Sequence, residues 1–375
     1  MSKFWIIFCV VLELSQDAHL SRNASYRFCR ESDQRCVLLA ECSNSRSLIT
    51  SKQAELCGSE EEIDESQAIC CNLTNIAESV ALQKCQEYSK YRYEQKGKAD
   101  EPSLTARIIG GTPTQISEYP HMALIGFEIK LDEYNLTFVE WNCGGSLISE
   151  NFVLSAAHCV HESRGPPRWV LLGDPNVPTT VEDAKSNVYE IIKIHDHPNY
   201  NVSSLYHDIS LFELNTNVTF SPYVRPACLY TSTTDLPINT RASITGWGRI
   251  GETEAFSNRL LKATINVVDH ENCRTSFEGT TRKLARGYDS EAMICAGDVD
   301  TGRDVCTGDG GGPLQISISK QPGMWNIIGV SSFGPSICGN HEDPSVYTKV
   351  SHYLLWIRSI VWPQWRSQGV YGAGF

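Results

Sequence analysis

No segment of this chain is apolar for the roughly 18 residues that a bilayer-spanning helix requires, so the sequence predicts no membrane span. A long basic tract is missing too. Lys and Arg number 32 against 44 Asp and Glu, a formal net charge of −12, which argues against a nucleic-acid partner and leaves a weak bias toward basic ones. Internal repeats and low-complexity tracts are absent, which excludes solenoids and disordered arrays. Long helical periods are scarce. With 41% hydrophobic and 20% charged residues, the 375-residue chain reads as a globular protein with enough apolar residues for one large domain and a smaller one.

Cysteine, by contrast, is plentiful, at 15 residues. Cys9 falls in the short apolar run Phe4–Leu12 behind Lys3, which reads as a signal peptide over residues 1–18 and predicts a secreted, extracellular protein. The other 14 form an even set suited to seven disulfides in an oxidising compartment, and they lack the paired short spacings with nearby histidines that a zinc site needs. Five Asn-x-Ser/Thr sequons, at Asn23, Asn72, Asn135, Asn201 and Asn217, fit a glycoprotein.

The cysteines divide the chain. Cys29, Cys36, Cys42, Cys57, Cys70 and Cys71 crowd into one short segment, predicting a small module over residues 28–71 that is stapled because it cannot build a sufficient core. Spacing alone leaves its connectivity open. Residues 72–107 are mostly polar and read as a linker or activation peptide with a lone Cys85. From 108 to 362, short runs rich in Val, Ile, Leu and aromatics (His121–Ile129, Gly145–Leu154, Trp169–Leu172, Ile327–Ser332) alternate with Gly, Pro, Asn and Asp clusters. This pattern predicts an all-β sandwich or barrel. One terminal helix is expected over Tyr353–Ile360, docked by Trp356, Trp362 and Trp365, ahead of a tail over residues 363–375.

Four strings then occur in order: Arg107-Ile108-Ile109-Gly110-Gly111; Gly144-Gly145-Ser146-Leu147-Ile148 leading to Leu154-Ser155-Ala156-Ala157-His158-Cys159; His207-Asp208-Ile209-Ser210-Leu211; and Asp304 to Pro313. Together they resemble the activation junction, histidine segment, aspartate segment and nucleophile loop of the chymotrypsin/trypsin family. The cysteine module with its Cys70-Cys71 doublet resembles the clip domain of arthropod cascade proteases. The resemblance implies two six-stranded antiparallel β-barrels with a C-terminal helix. It implies His158 as general base, Asp208 as its orienting partner, and Ser332 as a hydrogen-bond donor to that aspartate. Backbone N–H groups of Gly308 and Gly310 would form an oxyanion hole. Asp309 would receive the new amino group of Ile108 once a zymogen is cut after Arg107. It further implies disulfides Cys143–Cys159, Cys273–Cys295 and Cys306–Cys338, with Cys85–Cys228 keeping the clip module attached. Another disulfide of the family is lost, its positions being Ala242 and Ile316.

Two positions depart from the family pattern. Gly310 stands where the family has its nucleophilic serine, and an acyl-enzyme needs an attacking heteroatom. The run Gly310-Gly311-Gly312 also predicts a loosely held loop. In the specificity pocket, whose base would be Asp304 and whose wall would be Phe333 and Gly334, Ser345 stands where the family usually has glycine and would narrow the space for an Arg or Lys side chain. The resemblance therefore implies a pseudo-enzyme that regulates an innate immune, melanisation or Toll-type proteolytic cascade. Its partners would be cascade proteases, their zymogen substrates, or complexes on microbial surfaces. The alternatives are an active trypsin-like serine endopeptidase, if Gly310 is an error or an engineered change, and a protein that binds chiefly through its clip module. No cofactor is expected. Calcium at the loop after Gly173-Asp174 stays open, and His195-Asp196-His197 and Glu60-Glu61-Glu62 read as surface features.

Overall fold

In the computed structural model of the chain, the described residues are 34–38, 68–91, 112–115, 117–131, 136–174, 176–177, 187–249, 256–279, 282–298, 308–318, 323–335 and 343–363. Several expectations lie outside them: the signal region, Cys29, Cys42, Cys57, Glu60 to Glu62, Asn23, Asn135, the Arg107–Ile108 junction, Asp304, Cys306, Cys338, Trp365 and the tail beyond 363. Among the described residues no helix is long and apolar enough to cross a membrane. The chain divides into two units, residues 1–83 with 354–375, and residues 84–353.

In the first unit β1 (Gln34–Leu38) pairs antiparallel with β2 (Ala68–Asn72), in a register that sets Cys36 opposite Cys70 and Arg35 opposite Cys71. Directly after β2, α1 (Leu73–Tyr88) begins, and it runs on into the second unit. This helix fills the first part of the segment 72–107 that reads as a linker or activation peptide. The polar composition hid a helical stripe, since Ile76, Ala77, Val80, Ala81 and Tyr88 recur at helical spacing and all are buried.

The second unit opens, after α1, with β3 (Thr112–Pro113). Six strands then close a barrel: β4 (Met122–Leu131), β5 (Leu136–Leu147), β6 (Phe152–Ser155), β7 (Trp169–Leu172), β8 (Val188–Asp196) and β9 (Ser210–Leu214), in the order β4-β5-β6-β9-β8-β7. The run Gly145–Leu154 is thus two strands, because residues 149–151 form a turn in which Ser149 Oγ accepts the Phe152 N–H at 3.1 Å.

The second sheet comprises β3, β10 (Cys228–Leu229), β11 (Arg241–Gly246), β12 (Leu261–Val267), β13 (Met293–Gly297), β14 (Pro313–Ser317), β15 (Trp325–Phe333) and β16 (Ser345–Lys349). Pairing of β15 with β16 closes the path β15-β14-β11-β12-β13-β16 into a second six-stranded antiparallel barrel, with β10 and β3 added at β15 and β12. Strict alternation drives its closure. Along β12, Leu261, Ala263, Ile265 and Val267 are buried while the residues between them are half-exposed, so one face fills the barrel. They meet Ile244, Ile294, Leu314, Ile328 and Tyr347 in one core.

Between β12 and β13 lies α2 (His270–Phe277), capped by Asp269, whose carboxylate accepts the N–H groups of Glu271 and Asn272. The C-terminal helix, α3 (Leu354–Val361), belongs to the first unit and buries Leu354, Ile357 and Val361 along one side. A shared cluster of Leu124 and Leu171 from the first barrel with Trp247 and Leu260 from the second seals the two barrels together, and the candidate site lies along their seam.

Candidate active site

His158 follows β6 on a single 3-10 turn, Ala157–Cys159, and the Cys143–Cys159 disulfide ties that turn to β5. Asp208 stands just before β9, the strand paired antiparallel with β6, and is 2% exposed. One carboxylate oxygen accepts the His158 backbone N–H at 2.8 Å, and the other meets His158 Nδ1 at 2.7 Å. The second oxygen also accepts Ser332 Oγ at 2.5 Å, so β15 of the second barrel completes the arrangement. Thr348 Oγ1 on β16 donates to the Asp208 carbonyl at 2.7 Å.

These contacts fix the charges. Burial alone would push the Asp208 carboxyl up, but His158, the Ser332 hydroxyl and the His158 N–H outweigh it and hold the carboxyl below its ordinary value. Burial likewise pulls the His158 imidazole down, yet the charge and hydrogen bond of Asp208, with Glu162 nearby, leave it above its ordinary value. Because Nδ1–H is held by the carboxylate, Nε2 is the atom that takes up or gives away a proton. Such a pair can serve as a general base for an acidic proton placed at Nε2.

Opposite Nε2 is Gly310, and a Cβ built there would lie 2.5 Å from Nε2. The imidazole tip leaves that space too small for a side chain unless the ring moves. The loop itself is firmly held, which corrects the expectation of a loose three-glycine run. Gly144 N–H donates to Gly310 O at 2.8 Å, Gly311 N–H to Ser331 O at 2.9 Å, Gly312 N–H to Asp309 O at 3.0 Å, and Ser331 N–H to Gly312 O at 2.8 Å. Gly311 has φ +78°, and a Cβ on it would collide with Ser155 and with backbone atoms of Gly144 and Ala156, so only glycine fits. Backbone bonds to both barrels replace the restraint that side chains would have given.

Asp309 is buried, and its carboxylate accepts the Gly248 N–H at 2.8 Å. Gly308 has φ +98° and lies beneath the ring of Phe256. Ser345, 1% exposed on β16, points its Oγ at Gly334, 2.5 Å from where a Cβ there would sit. Phe333 is half-buried and packs edge-on against Phe277, with ring centroids 5.4 Å apart. Asp304, Cys306 and Cys338 lie outside the described residues.

The remaining assignments fall as follows. Disulfides join Cys273 to Cys295 and Cys85 to Cys228, the latter across 143 residues. Ala242 belongs to the second barrel's core cluster, and Ile316, partly buried, packs against it. Asn201 and Asn217 are exposed, and Asn72 ends β2. In the His195-Asp196-His197 segment the side chains go separate ways: His195 to Glu213, Asp196 to His161, and His197 to a stack on His207. Among the described residues the one group compact enough for a metal ion is Cys143, His158 and Cys159, and the disulfide removes both thiolates. Asp174 caps its own turn through the Asn176 N–H at 2.9 Å, and part of the loop behind it lies outside the described residues.

Sequence reading missed Glu162, Gly248, Phe256 and Thr348. Gly248, Phe256 and Thr348 reach the site through contacts distant in sequence, while Glu162 lies four positions after His158.

Two β-barrels with a half-buried His held by a buried Asp on their seam define a trypsin-like protein. The chain belongs to the trypsin family, whose model matches residues 108–357. It is 34% identical over 355 residues to Serine protease snk of Drosophila melanogaster, covering 90% of this chain and 79% of that one. It is 36% identical over 276 residues to CLIP domain-containing serine protease B4 of Anopheles gambiae, covering 69% and 71%. It is 35% identical over 267 residues to Phenoloxidase-activating factor 3 of Holotrichia diomphalia, covering 68% and 72%.

Proposed function

We propose that this chain is a secreted pseudo-protease that regulates an extracellular proteolytic cascade by binding in its substrate-like cleft instead of cutting. One observation carries the reading. The position facing His158 Nε2 is Gly310, which has no heteroatom. Acyl transfer needs an oxygen or sulfur there to attack the carbonyl while the imidazole takes its proton. Without it, turnover falls on the order of 10⁶-fold, and binding is spared because it uses other groups.

In this reading His158 is the base position, Asp208 orients it, Ser332 supports Asp208, and the N–H groups of Gly308 and Gly310 form the oxyanion hole. Cleavage after Arg107 would release the Ile108 amino group toward Asp309. Residues 28–71 would be the clip domain and 72–107 the activation segment, held by Cys85–Cys228 after cleavage. Relatives named as a CLIP domain-containing serine protease and a phenoloxidase-activating factor support a place in an immune cascade of the melanisation or Toll type.

The experiment is to cut the purified protein after Arg107 and assay an arginyl substrate, with a serine-directed phosphonate as covalent probe. The expected result is cleavage with no turnover above background and no adduct at residue 310. Hydrolysis or labelling by the unaltered chain would favour the active-endopeptidase alternative.

A further inference from the structure

Apart from the seam, the second barrel holds a cavity of about 240 Å³. Val267 of β12, Ile294 of β13 and Ile328 of β15, all members of the barrel core, line it from within. Its cover is the segment over residues 230–240 behind β10, which forms neither strand nor helix. That segment runs Tyr230-Thr231-Ser232-Thr233-Thr234-Asp235, mostly short polar side chains that lack the bulk to fill the space. Its Tyr230 and Leu236 pack on the core, while Thr234 and Ile238 are exposed, so the cavity opens to solvent.

Two buried polar side chains line this apolar space with hydrogen-bonding capacity left over. Ser351 is 4% exposed, and its hydroxyl makes no hydrogen bond to any described residue. Lys349 is 9% exposed. One of its N–H groups goes to Asp235 at 2.6 Å and one to the Ser290 carbonyl at 3.3 Å, and the third has no acceptor among the described residues. Buried polar groups without partners are destabilising, so a ligand that supplies a partner gains from it. The fixed charges around them offset one another. Asp235 pairs with Lys349 and, at 3.1 Å, with His270, and Asp269 caps α2. An entering carboxylate would face Asp235 and Asp269, and an entering ammonium would face Lys349. The occupant that suits this lining is neutral.

We propose that this cavity binds a neutral phenol, with its ring against Val267, Ile294 and Ile328 and its hydroxyl supplying the partner that Lys349 or Ser351 lacks. The inference is independent of whether the seam cuts or only binds. A hydroxyl oxygen accepts from an ammonium, and its proton goes to a serine oxygen; a bare hydrocarbon does neither. One ring also matches the volume, since an engineered cavity of about 150 Å³ holds benzene. Tyr230, half-buried in the cover, gives the ring an aromatic neighbour.

The test titrates the full chain with phenol, toluene and sodium benzoate by calorimetry, and locates phenol by intermolecular NOEs to isoleucine methyl groups. Phenol should bind saturably, about fivefold or more tighter than toluene or benzoate, with NOEs to Ile294 and Ile328. Leu236→Trp, which fills the cavity from its cover, should abolish phenol binding, and where that variant does not fold the NOEs decide without a substitution. Toluene or benzoate equalling phenol overturns the neutral hydroxyl as the recognised group. Phenol NOEs to other residues, or no saturable binding, overturn the site. Free phenols and tyrosine side chains share this chemistry, and N-acetyltyrosinamide separates them: tighter binding than phenol assigns the ring to a tyrosine, weaker binding to a free phenol.

Discussion

The imidazole of His158 stands so close to Gly310 that a Cβ there would come within 2.5 Å of Nε2, while Asp208 holds the other end of the ring at 2.7 Å. A ring held from behind by a buried carboxylate cannot retreat without stretching that bond. Restoring a serine at 310 therefore asks for more than one oxygen.

Ser345 adds a second obstacle, since its Oγ reaches toward Gly334 across the pocket wall. Gly310→Ser alone should give weak hydrolysis of an arginyl substrate after cleavage. Adding Ser345→Gly should raise kcat/KM by about tenfold or more, because one misplaced methylene-sized group in a pocket is worth about 1–3 kcal/mol. Steady-state kinetics of the single and double variants check this.

The Asp208–His158 pair should leave a mark on stability against pH. Asp208 is depressed, so its contribution is full above the ordinary carboxylate value and is lost as pH falls through its folded value. His158 is raised, so its contribution is full below the ordinary imidazole value and fades as pH rises through its folded value. Their joint stabilisation should peak between about pH 4 and 6.5. Asp208→Asn should lower Tm and flatten that peak, as read by thermal melts across pH 3 to 9.

Cys85–Cys228 predicts that protein cut after Arg107 migrates as one species without reductant and as two with it. Cys85→Ala with Cys228→Ala should separate the pieces in denaturing gels and cost about 2–4 kcal/mol in denaturant unfolding of the intact chain.

Around that disulfide, Arg225 is fully buried and donates to the carbonyls of Pro222 at 2.8 Å, Gly323 at 2.7 Å and Tyr91 at 3.4 Å. Desolvation lowers its pKa to about 10, still leaving it charged at neutral pH. Arg225→Ala would strip partners from buried carbonyls and should cost about 3 kcal/mol or more, measured by urea unfolding.

The sequence by itself determined an all-β pattern of short strands and that residue 310 carries no side-chain heteroatom. Alternation such as that of β12 selects strands with one buried face, and Gly310 lacks an attacking atom whatever surrounds it. It also placed His158, Asp208 and Ser332 in segments whose contacts could be named only by resemblance. The polar surface of α1 concealed its buried stripe, because composition averages over faces that a helix separates. Only the tertiary structure decided how close His158 comes to Gly310, that the glycine run is pinned between two barrels, and that Glu162 and Thr348 reach the Asp–His pair. Those relationships depend on the docking of elements far apart in the chain, and no local pattern encodes a distance across a seam.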